Sequence, residues 1–348
     1  MAQATSHQAA AGANAGANLL VAVPALDEEE TIGDVIRRIP RDLPGIRSVS
    51  ILVIDDGSQD HTAARAQEAG ATVVHHLRRR GLGAAFHTAL AHAMAISADL
   101  MVSLDADGQF DPSYLPALIA PVVSGQADFA SASRFKDPAL TPPMPWLKRW
   151  GNRMMSHMVS RIAGETFYDV SCGMRCYSRQ AMMHLNLLGD FTYTQEVFLN
   201  LAFKRLRIVE VPLPIQGERR YGESRIARSL WRYGWRAARI IFRCYRDYRP
   251  MRFFGTIALV FAIPAVLLEG FLAVHYLRTG DFSPHKWAGF VGLGLLVIAM
   301  VAVHMGMIGD MLDRHRIYLE DILFYSRMAD SHRNRSGDGG NRRDPGSV

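Results

Sequence analysis

Two apolar windows near the C-terminus, Phe253–Leu277 and Trp287–Met311, constrain this chain more than any other feature. Each holds 25 residues and would extend about 37 Å as a helix, enough to cross a bilayer with some tilt. The segment between them, RTGDFSPHK, is too short for a domain, so the two windows are expected to form a hairpin. Arg249 and Arg252 precede the first window, and Arg314 and Arg316 follow the second. The positive-inside tendency then puts both long flanks, and with them both termini, in the cytoplasm. Glu269, His304 and Asp310 interrupt the apolar runs, and a pair of buried helices in a soluble protein is the competing reading.

The rest of the 348 residues alternates short apolar runs with helical periodicity. Leu19–Val23, Val49–Ile54, Ala71–Val74 and Leu100–Leu104 read as strands. Ile32, Val35, Ile36 and Ile39 recur at helical spacing behind an acidic first turn, Asp27 to Glu30, and Gly83–Ala95 reads as another helix. This rhythm predicts an open, mostly parallel α/β sheet with helices on both faces and its loops gathered at the carboxyl ends of the strands. GLGAAF at 81–86 departs from the dinucleotide-binding glycine signature at Phe86, and its glycines instead let the loop pass close to a diphosphate.

The first 18 residues lack the basic start and apolar core of a signal peptide, and 331–348 is rich in Gly, Ser, Asn and Arg. Both read as disordered. Between them the expected divisions are a catalytic domain at 19–224, amphipathic interfacial helices at 225–251, two transmembrane helices at 252–312 and a cytoplasmic juxtamembrane helix at 313–330. Cys172, Cys176 and Cys244 form neither a disulfide framework nor a metal pattern.

Three polar constellations fall where strands end. In MVSLDADGQF an apolar strand runs into Asp105 and Asp107, which can present carboxylate oxygens to a hard cation that in turn holds a diphosphate. In VIDDGSQD, Asp55 and Asp56 end a strand side by side, and the repulsion between adjacent carboxylates invites a ligand or donor group. In VPALDEEE, Pro24 and Ala25 can wall a nucleobase while Asp27 or Glu28 accepts hydrogen bonds from base or ribose; acids complementing a helix start would look the same. Farther along, Arg149, Asn152, Arg153 and Ser156 occupy one region of a predicted helix that can face an incoming phosphate.

VPALDEEE, DDGSQDHT, RRRGLGAAFHTAL and DADGQFDP, in this order, resemble the family 2 glycosyltransferases of GT-A fold. Within them the chain is most similar to the branch of dolichol-phosphate mannose synthase and bacterial polyprenyl-phosphate glucosyltransferases. The resemblance covers roughly residues 19 to 250. It implies a nucleotide-diphosphate sugar as donor, polyprenyl or dolichyl monophosphate as acceptor, and Mg2+ or Mn2+ held by Asp105, Asp107 and Gln109. It implies nucleoside contacts for Asp55 and Asp56, and a phosphate-holding role for Arg134 of SASRF. It gives the same role to Arg219, Ser224 and Arg225 of RRYGESR, with Arg220 as a helper. Gln195 and Glu196 are expected near the sugar or the shell supporting it, with Asp169 on the acceptor side and Glu196 also able to orient Arg175. The branch usually reads Pro-Ala-Tyr-Asn-Glu at its first motif, so Leu26 and Asp27 depart from it. Donor identity, GDP-mannose or UDP-glucose, stays open. The chain lacks the QxxRW signature of processive synthases, which implies one sugar per lipid.

IARSLWRYGWRAARIIFRCYRDY at 226–248 interleaves Trp231, Trp235 and Tyr245 with six arginines, as in a helix lying on an anionic interface. A net charge of +6 would also serve nucleic-acid binding, but no recognition motif accompanies it, and no nucleic-acid partner is expected. An oligomer would help anchor so large a cytoplasmic head. The competing functions are transfer to a different acceptor and a non-catalytic membrane scaffold or flippase accessory.

Overall fold

The computed structural model describes residues 16–187, 193–215, 235, 239, 242–243 and 245–337. In the first compact unit the described strands form one seven-stranded sheet, ordered β3-β2-β1-β4-β6-β5-β7. The strands are β1 (Ala17–Ala25), β2 (Ile46–Asp55), β3 (Thr72–His75), β4 (Leu100–Ser103), β5 (Phe129–Ser133), β6 (Arg175–Ser178) and β7 (Ile208–Pro212). All run parallel except β6, which is antiparallel to β4 and β5. The central strands are buried on both faces: Leu19 to Val23, Leu52 to Ile54 and Leu100 to Val102 are almost wholly excluded from solvent. That burial is why they read as unbroken apolar runs.

Helices α1 (Ile32–Arg38), α2 (Thr62–Glu68), α3 (Leu82–Ala95), α4 (Leu115–Val123), α5 (Trp146–Ala163), α6 (Arg179–His184) and α7 (Thr194–Phe203) cover the sheet. Strand order reverses between β1 and its neighbours β2 and β4, which opens a crevice beyond their carboxyl ends, where open α/β sheets bind ligands. The four sequence-predicted strands and the helix behind Gly83 are present, each within a few residues of its expected limits.

One local expectation is corrected. Asp27 to Glu30 do not form the first turn of α1, which begins at Ile32. They lie in a loop before it, with Asp27 at φ 47°. The carboxylates are used by a neighbouring loop: Asp27 Oδ1 accepts the Gln59 amide at 2.9 Å and Glu29 Oε2 accepts the His61 amide at 3.0 Å.

A second compact unit spans residues 239–322. It holds α8 (Pro250–Thr279) and most of α9 (Lys286–Gly337). Both helices are long and apolar enough to cross a membrane. Their large apolar side chains face outward, with Leu267 at 68%, Leu277 at 82% and Phe290 at 76% exposure. Helices buried in a soluble core would hide them. Glycines bring the two helices together: side chains of Leu272, Glu269 and Phe254 lie against Gly289, Gly292 and Gly306. α9 continues unbroken past residues 312 and 330, where the sequence suggested a juxtamembrane boundary and a disordered tail, and ends at Gly337.

Candidate active site

The loops after β1, β2 and β4 are tied into one rim. Asp56 donates its amide to Ala25 O at 2.9 Å, Glu28 donates its amide to Thr62 Oγ1 at 2.8 Å, and Thr31 Oγ1 donates to Ala106 O at 2.7 Å. Pro24 is partly buried and Ala25 buried, in register with Ile54 and Asp55. The predicted base wall and the adjacent acids therefore share one edge.

Asp55 and Asp56 are both buried, and each has structural partners. Asp55 Oδ1 accepts the Ser58 amide, and Asp55 Oδ2 lies 3.1 Å from His75 Nδ1. Asp56 Oδ1 meets His76 Nδ1 and the Arg80 amide at 2.8 Å, while Oδ2 accepts the Gly81 amide at 2.7 Å. Burial works to raise the Asp56 carboxyl, but these bonds outweigh it and hold the group below the ordinary carboxylate range. Asp56 thereby fixes the loop that leads into α3, where Gly81 takes φ 95° and no bulkier residue would sit easily.

Asp105 and Asp107 follow β4 directly. Asp107 is buried and its Oδ1 accepts the Gln109 amide at 3.0 Å, so Gln109 braces the loop through its backbone. Among the described residues no cluster of three or more His, Cys, Asp or Glu side chains gathers to enclose a metal. Two carboxylates on one short loop nevertheless fit Mg2+ or Mn2+, which take oxygen donors and keep several positions for water and substrate phosphate. Gly173 lies against the Asp105 carboxylate and leaves it room that any side chain would fill.

On the opposite side, Arg134 at the end of β5 gives Nε and Nη2 to Asp169 at 2.7 and 2.8 Å, and Nη2 also reaches Ser171 Oγ at 3.2 Å. α5 docks on the same loop. Asn152 Oδ1 accepts Ser171 Oγ–H at 3.0 Å and Ser156 Oγ accepts the Val170 amide at 3.3 Å. The stripe 152, 156 thus faces inward, whereas Arg149 and Arg153 are exposed on another face. This separates residues that the sequence reading grouped together.

One turn before Asn152 on the inward stripe is Lys148, a residue that reading missed. Burial, then repulsion from Arg134, lowers the Lys148 amine below the ordinary lysine range, and attraction to Asp107 partly opposes this. Lys148 is therefore within electrostatic reach of both the Arg134 side and the carboxylate loop. Asn152 Nδ2 is buried with no hydrogen-bond partner among the described residues.

Gln195 and Glu196 are buried in the first turn of α7. Arg175 is fully buried, and its guanidinium donates to the carbonyls of Cys172, Val170 and Thr194. Cys172 and Cys176 are free and buried, and burial pushes the Cys172 thiol up to about 12. Arg219, Arg220, Ser224 and Arg225, with most of the predicted interfacial segment, lie outside the described residues.

A doubly wound sheet with paired carboxylates after β4 and the basic groups Arg134 and Lys148 nearby defines an α/β fold of the glycosyltransferase kind, and comparison with known proteins shows the family. The model of glycosyl transferase family 2 matches residues 20–185. The dolichyl-phosphate hexose transferase of Haloferax volcanii is 30% identical over 209 residues, covering 60% of this chain and 86% of that one. The UDP-N-acetylglucosamine–dolichyl-phosphate N-acetylglucosaminyltransferase of Methanococcus voltae is 26% identical over 211 residues, covering 55% and 82%. Among solved structures, glucosyl-3-phosphoglycerate synthase from Mycobacterium tuberculosis, in complex with Mn2+, UDP-glucose and phosphoglyceric acid, superposes with a TM-score of 0.54. It is 23% identical and covers 67% of this chain and 81% of that one. The chain belongs to glycosyl transferase family 2 and has the GT-A-type sheet.

Proposed function

We propose that this protein is an inverting glycosyltransferase that moves one hexose from GDP-mannose or UDP-glucose to polyprenyl or dolichyl monophosphate at the cytoplasmic face of a membrane. The observation that carries this reading is Asn152, on one helical stripe with Lys148: its Oδ1 accepts from the Ser171 hydroxyl that Arg134 contacts, while its buried Nδ2 has no partner among the described residues. An ammonium, a guanidinium and a spare amide donor near two metal-type carboxylates suit an acceptor that carries its own phosphate. The relatives named for dolichyl phosphate support the same acceptor class. So does the groove between α8 and α9, which Tyr245, Arg252 and Thr256 edge and Leu259, Leu296 and Val303 line.

A phosphate monoester oxygen is already anionic near neutral pH, so it attacks the anomeric carbon without a strong general base. Lys148, Asn152 and Arg134 would hold its other oxygens, and Asp169 keeps Arg134 aimed. Asp105, Asp107 and Gln109 would hold Mg2+ or Mn2+, which when bound neutralises the departing diphosphate. Asp55 and the Asp56-anchored loop would shape the nucleoside side, with Pro24, Ala25, Asp27 and Glu28 at its edge. Glu196 would support the sugar from α7, and Arg219, Ser224 and Arg225 would close over the phosphates. Single displacement inverts the anomeric centre and forms no sugar–enzyme bond. The two long apolar helices would anchor the enzyme with both termini in the cytoplasm.

The test uses detergent-solubilised protein, polyprenyl phosphate and Mn2+ or Mg2+, with a panel of radiolabelled GDP- and UDP-sugars followed into the organic phase. Metal-dependent labelling by one donor, lost in Asp107→Ala and with dephosphorylated lipid, is the expected result. Folded protein that labels no lipid from any donor would turn the reading toward another acceptor or a non-catalytic scaffold.

A further inference from the structure

Gly173 lies in the turn that leads into β6, and a methyl group built on its Cα would come within 2.8 Å of Asp105 Cγ and 3.0 Å of Asp105 Oδ1. Its backbone is not in the left-handed region, so alanine meets no conformational penalty there. What requires a glycine is the room taken by the Asp105 carboxylate.

The turn is gripped from behind. The fully buried Arg175 donates through Nε to Cys172 O at 2.7 Å and through Nη2 to Val170 O at 2.8 Å, while Nη1 reaches Thr194 O at 2.9 Å. Its guanidinium carbon lies 5.2 Å from the Phe198 ring centroid and 5.8 Å from that of Tyr193. Tyr193 in turn meets Ser103 Oγ through its hydroxyl at 2.9 Å, two residues before Asp105. One planar cation thus fixes the turn against which Asp105 rests and ties it to the start of α7. A lysine could supply the charge but not three bonds in one plane.

We propose that Gly173 and Arg175 are positioning residues for the metal carboxylate. Gly173 gives Asp105 its place, and Arg175 holds the Val170–Gly173 turn so that this place does not shift. Neither residue touches the ion or a substrate. The proposal rests on the reading of Asp105 as a metal ligand.

The experiment titrates full-length protein in detergent with Mn2+ alone, following free Mn2+ by electron paramagnetic resonance. Wild type, Asp105→Asn, Gly173→Ala and Arg175→Lys are compared, each also melted in metal-free buffer. Gly173→Ala is expected to melt as wild type does and to bind Mn2+ about 10-fold or more weakly, the scale of losses when groups supporting a ligand are removed. Arg175→Lys is expected to lose Mn2+ affinity in the same direction. Adding Gly173→Ala to Asp105→Asn is expected to cost no further affinity, because both act through one carboxylate. If Asp105→Asn weakens binding while folded Gly173→Ala and Arg175→Lys bind as wild type does, the positioning role is overturned and the ligand reading stands. Wild-type affinity in Asp105→Asn removes the ligand reading, and the proposal falls with it. Should Gly173→Ala fail to fold, its glycine serves the fold rather than the site, and Arg175→Lys alone decides the other half.

Discussion

Arg134 gives both Nε and Nη2 to the carboxylate of Asp169, whose side chain is wholly buried while that of Arg134 retains 14% exposure. Removing the arginine would leave a buried charge with only its local donors. Breaking such a pair costs about 3–5 kcal/mol, whereas replacing both partners by apolar groups is often neutral. Arg134→Met is therefore expected to lower the melting temperature sharply, and Arg134→Met/Asp169→Leu to recover much of the loss while remaining inactive. A thermal melt in detergent checks this, and a single variant as stable as wild type would refute it.

Asp56 predicts an acid-side instability. Its folded carboxyl titrates below its unfolded value, because the bonds from His76, Arg80 and Gly81 outweigh the opposing effect of burial. The stability it contributes is complete above about pH 4, the unfolded range of aspartate, and is lost as pH falls through the lower folded value. Melting temperatures measured from pH 6 downward should show this loss in wild type. Asp56→Asn should be less stable at neutral pH and should show a shallower decline in acid.

Lys148 and Arg149 are adjacent cations with different expected consequences. On the proposed function, Lys148→Met would remove a charge-assisted contact to the acceptor phosphate, worth about 1.5–3 kcal/mol or roughly 10- to 150-fold in kcat/KM. Arg149→Ala, on the exposed face, should stay within about twofold of wild type. Because the Lys148 amine titrates below the ordinary lysine range, acceptor binding should weaken as pH rises through that lowered value. Lys148→Arg should move this alkaline limit upward. Initial rates against lipid phosphate at several pH values separate these outcomes.

What the sequence revealed follows from the physics of its strands. β1, β2 and β4 are buried on both faces, so their limits appear as apolar runs, and the acids at their carboxyl ends mark the crevice. β6 was harder to see: Arg175–Ser178 is four residues long and carries a charged residue whose burial depends on carbonyls from two other segments. Lys148 was hidden for a related reason. Which of two neighbouring cations faces inward depends on the rotation of α5, and that is set by Asn152 and Ser156 docking on the 169–171 loop. Asp27 and Glu29 looked like helix-start acids because their partners, the amides of Gln59 and His61, leave no mark in a side-chain pattern.

The hairpin offers a test with an internal control. A Cβ on Gly309 would approach Pro250 Cβ within 2.6 Å, whereas one on Gly294 would meet nothing within 4 Å. The Gly309 site is where α9 passes the first residue of α8, so a bulky side chain there must separate the two helices or bend one of them. Small residues permit this close approach, and lipid offers no hydrophobic drive to restore it once lost. Gly309→Leu should therefore cost about 1–3 kcal/mol, the scale of overpacking, while Gly294→Leu should be close to neutral. Both variants would be heated in detergent and followed by size-exclusion recovery. Equal recovery of the two would mean that the α8–α9 contact at Pro250 does not hold the hairpin together.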